Sequence, residues 1–316
     1  MLFAGIDLGG TNMKAGLFSP QGVLLGEASR PTDASRGAQA VCMDMADIVR
    51  ELVQRTGRRM AEVAGIGVGC PGTVEADTGI ILYSNNLAWE NYPLGARLAA
   101  QTGCRVTVGN DANVAALGEA AAGCGKNAHS LVVLTLGTGV GSGVVIGGRV
   151  LTGYTGAACE IGHMAIQDGG ALCTCGRRGC LEAYASATAL LRMTRDAMRE
   201  HPESSLCRMG EITGKTAFDA AQAGDAAAQR VVEQYIHFLA VGVANVVNIF
   251  FPEVIGFSGG VANQGEALLA PLRREVEAMT FGNRFASKKT RLTVCTLGYR
   301  AGLIGAGTLA IQAQNA

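Results

Sequence analysis

Short apolar runs, most of them closed by glycine, alternate along this chain with longer stretches in which apolar residues recur at helical spacing. Ala64–Val68, Arg105–Val108, Val254–Phe257 and Leu292–Thr296 read as buried strands. Val41, Met45, Ile48, Val49 and Leu52 fall on one face of a helix predicted over Ala38–Gln54, and an alanine-rich helix is expected over Ala112–Ala122, directly after Asp111. Two longer amphipathic helices are predicted over Leu181–Arg199 and Asp225–Ile249, the second capped by Asp225 and ended before Pro252. Strands alternating with helices in this way predict an α/β protein.

The pattern also repeats. Phe3-Ala4-Gly5-Ile6-Asp7-Leu8-Gly9-Gly10-Thr11 resembles Leu131-Val132-Val133-Leu134-Thr135-Leu136-Gly137-Thr138-Gly139, each an apolar strand ending in a Leu-Gly turn. Ala15–Phe18 and Ser142–Ile146 then supply a second strand, a glycine-containing hairpin and a third strand in both places. Two domains of like topology follow, with a boundary expected near Ala112. The small domain is predicted over 1–112 with a C-terminal helix 301–316 returning to it, and the large domain over 113–300.

Composition narrows the function classes. Twenty-six basic residues balance 26 acidic ones, which removes the electrostatic case for nucleic acid or for a membrane surface. The apolar stretch 238–251 carries Asn245 and Asn248 and is too short to span a bilayer, and Met1–Ile6 lacks the basic start of a signal peptide. A cytoplasmic protein is expected. Three of the ten cysteines belong to a metal pattern, and the other seven are scattered among apolar or small residues, as reduced, buried thiols would be.

That metal pattern is the most specific signal. His163, Cys173, Cys175 and Cys180 stand at H-x9-C-x-C-x4-C spacing, four N and S donors for a tetrahedral zinc with no position left for a catalytic water. A lone histidine would read as a core residue, but three thiols within the next 17 residues favour the metal. Glu160 and Glu182 flank the loop and would be held by it, and the second ring nitrogen of His163 would stay available to a ligand or acceptor.

The turns Asp7-Leu8-Gly9-Gly10-Thr11-Asn12-Met13-Lys14 and Leu136-Gly137-Thr138-Gly139 each read alone as a tight hairpin. As a related pair, one per domain, they suit phosphate oxygens approached by backbone N–H groups, with Asp7 placed to help hold Mg²⁺. Gly259-Gly260 follows another strand and offers similar donors. Asn110-Asp111 opens a helix, so either residue can cap it, and a carboxylate held there can also accept a hydroxyl proton. Asn86, beside the only tryptophan, can hydrogen-bond a sugar hydroxyl or serve a turn.

Asp7–Asn12, Gly109–Asn113, Leu136–Gly141, Glu160–His163 and Cys173–Glu182 together resemble the ROK family of repressors, open reading frames and sugar kinases, most closely its bacterial ATP-dependent glucokinases. The resemblance runs from Ile6 to about Ala310. It implies a two-domain, actin-like (ribonuclease-H-like) sugar kinase fold with an interdomain cleft and a structural zinc site. It implies transfer of the ATP γ-phosphate to a hexose 6-hydroxyl, with Mg²⁺ as cofactor and a homodimer or homotetramer as the assembly. Asp111 is then the general base. Asn86, Asn110, Asp111, Glu160, His163 and Glu182 bind sugar, and Asp7, Gly9, Gly10, Thr11, Asn12, Lys14, Gly137, Thr138, Gly139, Gly259 and Gly260 bind the nucleotide.

Two positions depart from the family pattern. Cys159 stands where glycine is expected, and Asn85-Asn86-Leu87-Ala88-Trp89 differs from the usual Asn-Leu-Gly-Trp or Asn-Leu-Pro-Trp run. Both touch the sugar pocket, so N-acetylmannosamine, N-acetylglucosamine, allose and fructose stay open beside glucose. A sugar-responsive regulator is the reading from another class, and neither basic excess nor a helix-turn-helix before Phe3 favours it.

Overall fold

Strand runs and helical faces fold largely where the pattern puts them. The computed structural model describes residues 1–282 and 285–315. In chain order its elements are β1 (Leu2–Leu8), β2 (Asn12–Phe18), β3 (Leu24–Pro31), α1 (Ala38–Arg55), β4 (Val63–Cys70), β5 (Thr73–Glu75), β6 (Ile80–Ser84), β7 (Trp89–Tyr92), α2 (Leu94–Thr102), β8 (Arg105–Asn110) and α3 (Asp111–Ala122). There follow β9 (Ser130–Leu136), β10 (Val140–Ile146), β11 (Arg149–Val150), α4 (Glu182–Ala185), α5 (Ala187–Glu200), α6 (Thr216–Gln222), α7 (Ala226–Phe250), β12 (Val254–Ser258), α8 (Glu266–Met279), β13 (Arg291–Val294) and α9 (Ala301–Gln314). The helix predicted over Leu181–Arg199 is two helices, because the Ser186 side chain accepts the Ala189 N–H and caps a fresh start there.

The chain forms two units. The first holds residues 1–131, 143–159 and the segment from 296 onward; the second holds 132–142 and 160–295. The first unit therefore runs past residue 112 and keeps α3, which packs on α9 and β4. Of the expected C-terminal span 301–316, residue 316 lies outside the described residues.

The sheet of the first unit has the order β3-β2-β1-β4-β8. β1 pairs antiparallel with β2 and parallel with β4, so residues 2–8 lie at its centre and are almost wholly buried. One face carries an aliphatic core that includes Ile6, Val68, Met45, Val49 and Leu98. The other receives α9, where Leu303 and Ala310 meet Phe3 and Phe18. Contact between α9 and α3 runs through small residues, and a Cβ added at Gly305 or at Gly118 would collide with the facing helix backbone.

The second sheet, β11-β10-β9-β12-β13, has the same order as the first. That agreement is the structural form of the sequence repeat. In the second unit α7 is the central helix, contacted by α4, α5, α6 and α8, and its buried Tyr235 hydroxyl donates to Ala185 O at 2.6 Å. None of the ten cysteines is in a disulfide; Cys42, Cys70, Cys104 and Cys124 are buried, whereas Cys207 is exposed. Among the described residues no helix is long and apolar enough to cross a membrane.

Candidate active site

In the first unit, β1 delivers Asp7 beside the glycine turn, and the β1–β2 register sets Lys14 opposite it. Lys14 Nζ donates to Tyr299 O at 3.2 Å and lies 4.9 Å from the centre of the Tyr299 ring. Gly302, in the first turn of α9, approaches the Asp7 carboxylate so closely that a Cβ there would stand 2.6 Å from Asp7 Cγ. Gly10 lies against Asn86, whose side chain is exposed and makes no hydrogen bond among the described residues.

At the end of β8 the ambiguity over the helix cap resolves. Asn110 is the cap, its Oδ1 accepting the N–H groups of Ala112 at 3.0 Å and Asn113 at 3.1 Å, while its Nδ2 donates to Gly72 O at 3.0 Å and to Asp111 Oδ1 at 3.1 Å. Asp111 Oδ1 also accepts the Ala112 N–H at 2.9 Å, so Oδ2 is the oxygen left for a ligand. Burial pushes the Asp111 carboxyl above the usual carboxylate range, with the hydrogen bonds from Ala112 and Asn110 opposing it. Burial raises Asp7 as well; Lys14 opposes that shift and the charge of Asp111 adds to it. Two part-buried, mutually repelling carboxylates are the donor set a hard divalent cation such as Mg²⁺ would stabilise.

In the second unit, the Gly137–Gly139 turn is tied to the start of α5, and Val140 N donates to Glu182 Oε2 at 3.0 Å. The other oxygen of Glu182 accepts from Thr174 Oγ1 at 2.7 Å and from Cys173 Sγ at 3.4 Å. Glu182 thus links the cysteine loop to the glycine turn. Gly259, at φ 87°, presses on the Leu136 backbone and joins that turn. A 3-10 turn over Val261–Gln264 follows it and leads into α8.

His163, Cys173, Cys175 and Cys180 each bring a donor atom within 4.8 Å of all the others. His163 Nδ1 faces Cys173 Sγ at 3.7 Å, and Cys175 Sγ lies 3.7 Å from Cys180 Sγ. Arg177 O and Ala171 O accept the Cys173 and Gly179 N–H groups at 2.8 and 2.9 Å, which holds the loop closed. The four-donor chemistry fits a metal ion. With Nδ1 turned toward the thiols, Nε2 of His163 makes no hydrogen bond among the described residues. Glu160 is exposed; its carbonyl accepts the His163 N–H at 2.9 Å, and its carboxylate makes no hydrogen bond among the described residues.

Compared with known proteins, the chain matches the ROK family over residues 3–313. The chain belongs to the ROK family. A glucokinase of Halalkalibacterium halodurans is 38% identical over 318 residues, spanning 99% of this chain and 96% of that protein. Among solved structures, a ROK hexokinase from Thermus thermophilus superposes with a TM-score of 0.83 at 34% identity, covering 100% of both chains. A ROK glucokinase from Streptomyces griseus, in complex with glucose and AMPPNP, gives 0.77 at 32% identity, covering 99% of this chain and 100% of that one.

ROK membership bears on the two departures. Cys159 sits at φ 64° and Ala88 at φ 53°, both in the left-handed region that disfavours side chains. The backbone therefore favours glycine at both positions, as expected at 159; at 88 it suits the glycine of the Asn-Leu-Gly-Trp run and not the proline of Asn-Leu-Pro-Trp, whose ring fixes φ at about −65°. Gly302, Tyr299 and Thr32 are site neighbours that motif reading missed; each is defined by contacts distant in sequence, with no local signature to find.

Proposed function

We propose that this ROK sugar kinase transfers the γ-phosphoryl group of ATP to the 6-hydroxyl of glucose, with Asp111 as the general base. The observation that carries the reading is the division of labour at the start of α3. Asn110 performs the capping, so the part-buried Asp111 carboxylate keeps Oδ2 for a substrate hydroxyl. Oδ2 accepts the hydroxyl proton as the new O–P bond forms and the bond to the β-phosphate oxygen of the departing ADP breaks. A raised Asp111 pKa improves its match to an alcohol proton.

Asn86 and Asn110 in the first unit, and Glu160, Glu182 and Nε2 of His163 in the second, are assigned to sugar hydroxyls. The turns at Gly9–Asn12, Gly137–Gly139 and Gly259–Gly260 are assigned to the nucleotide, with Lys14 on the phosphates. Mg²⁺ held near Asp7 would supply neutralisation of phosphate charge. Zinc held by His163, Cys173, Cys175 and Cys180 would be structural, fixing the His163 ring and the base of Glu182. Support for glucose comes from the glucokinase of Halalkalibacterium halodurans and the glucose-bound Streptomyces griseus protein. ADP release from Mg²⁺-ATP, measured across hexoses and N-acetylhexosamines with a sugar-free control, tests the reading. Activity concentrated on glucose supports it; preference for another sugar keeps the chemistry and replaces the acceptor, and silence on every sugar overturns it.

A further inference from the structure

Thr32 is a threonine with no exposed surface, just past the end of β3, and the chemistry above gives it no role. Its hydroxyl donates to Gly9 O at 2.7 Å and its N–H to Thr11 O at 2.9 Å. The second glycine turn is held in the same way by different residues. Ala187 N donates to Gly137 O at 2.8 Å, and the Thr188 hydroxyl donates to Thr138 O, also at 2.8 Å. Each turn thus has two carbonyls tied down, one by a backbone N–H and one by a threonine hydroxyl.

Across a trans peptide the C=O of one residue and the N–H of the next point in opposite directions. Tying down Gly9 O therefore aims the Gly10 N–H away from Thr32. Tying down Gly137 O and Thr138 O aims the N–H groups of Thr138 and Gly139 away from α5. The N–H groups of Gly10, Thr138 and Gly139 find no acceptor among the described residues. Consecutive N–H groups turned outward are an anion cradle.

We propose that Thr32 and Thr188 are positioning residues that hold the two glycine turns with their N–H groups aimed at the nucleotide phosphates; this rests on the kinase reading above. Neither threonine touches the phosphates in this account. Valine at either site keeps the shape and removes the hydroxyl, so a freed peptide can rotate and its N–H lose aim.

The test is calorimetric titration of Mg²⁺-ADP, with glucose titrated in parallel, into wild type, Thr32→Val, Thr32→Ser, Thr188→Val and Thr188→Ser. Thr32→Val should weaken ADP roughly tenfold, the scale of one well-placed hydrogen bond, and Thr188→Val by a smaller factor because water reaches that site. Glucose affinity should hold, and both serine variants should restore ADP binding. Valine variants that bind ADP as tightly as wild type, losing only thermal stability, would overturn the assignment and leave the kinase reading standing. A wild-type protein that binds no nucleotide would overturn both. Thr188 is exposed, so its variant should fold even where Thr32→Val does not.

Discussion

Gly305→Ala sets two physical effects against each other. In a helix interior alanine is favoured over glycine by about 1 kcal/mol, so propensity alone makes the substitution stabilising. The structure reverses the sign. A Cβ at Gly305 would stand 2.7 Å from Val114 C and 2.9 Å from Gly118 N and would overlap Val114 O outright. These are backbone atoms and cannot rotate aside, and Val114 O is the nearest of them, so α9 and α3 must separate by roughly 1.5–2 Å to restore ordinary contact distances of about 3.5–4.0 Å. A gap of that size forfeits about half or more of each dispersion well along the interface. For roughly forty atom pairs at about 0.1–0.2 kcal/mol each, the loss is about 2–4 kcal/mol before strain in the sheet is counted. The net expectation is a loss of about 2 kcal/mol and a fall in Tm of roughly 4–8 °C by differential scanning calorimetry. Turnover should fall as well, because α3 begins at Asp111 and the first turn of α9 abuts Asp7. Gly210→Ala, where a Cβ meets nothing within 4 Å, is the control and should change little. A Gly305→Ala protein with an unchanged or higher Tm would refute the close-packing account of α9.

The two part-buried carboxylates give a paired expectation. Asp7 and Asp111 have folded-state pKa values raised above their unfolded ones, so the stability they contribute is full below the unfolded value and is lost as pH rises through the folded one. Asp111→Asn should therefore abolish turnover, leave sugar binding largely intact and raise Tm at pH 7, with the gain vanishing near pH 3.5; a lower Tm at pH 7 would contradict the assigned burial cost. In the wild type kcat should decline on acidification from a pH above the usual carboxylate range, as read from a pH–rate profile. Elemental analysis should find about one zinc per chain in the wild type and almost none in Cys180→Ser, and a metal-poor wild type would remove the structural-zinc assignment. Cys159→Gly and Ala88→Gly should each raise stability by about 0.5–1 kcal/mol, the relief of a left-handed side chain less the freedom glycine adds to the unfolded chain; denaturant midpoints that fall would show that the side chains matter more than the strain.

Much of the fold was legible because its signals are local. Apolar runs ending in Leu-Gly turns exposed the repeat, and the two sheets do share one strand order. The cluster of His163, Cys173, Cys175 and Cys180 was legible for the same reason, since all four donors lie within one short loop. The break at Ser186 was not, because apolar spacing continues through a residue whose side chain caps a new helix. Nor was the assignment of the cap to Asn110: asparagine and aspartate have similar capping strength, and only the contact from Gly72 fixes the amide. Gly302 and Gly305 were read merely as part of a final helix, since the reason for their smallness lies in Asp7 and Val114, far away along the chain.

The placement of α9 also bears on how the protein is made. α9 fills one face of the first sheet, yet it is translated only after residues 160–295 of the second unit. At about 5–20 residues per second the ribosome spends on the order of ten seconds on that stretch, with Phe3, Phe18 and the glycine-lined side of β1 and β4 waiting uncovered. The first unit to emerge is thus among the last to be finished, and a nascent chain stalled before residue 301 would present a half-built sheet to chaperones and proteases.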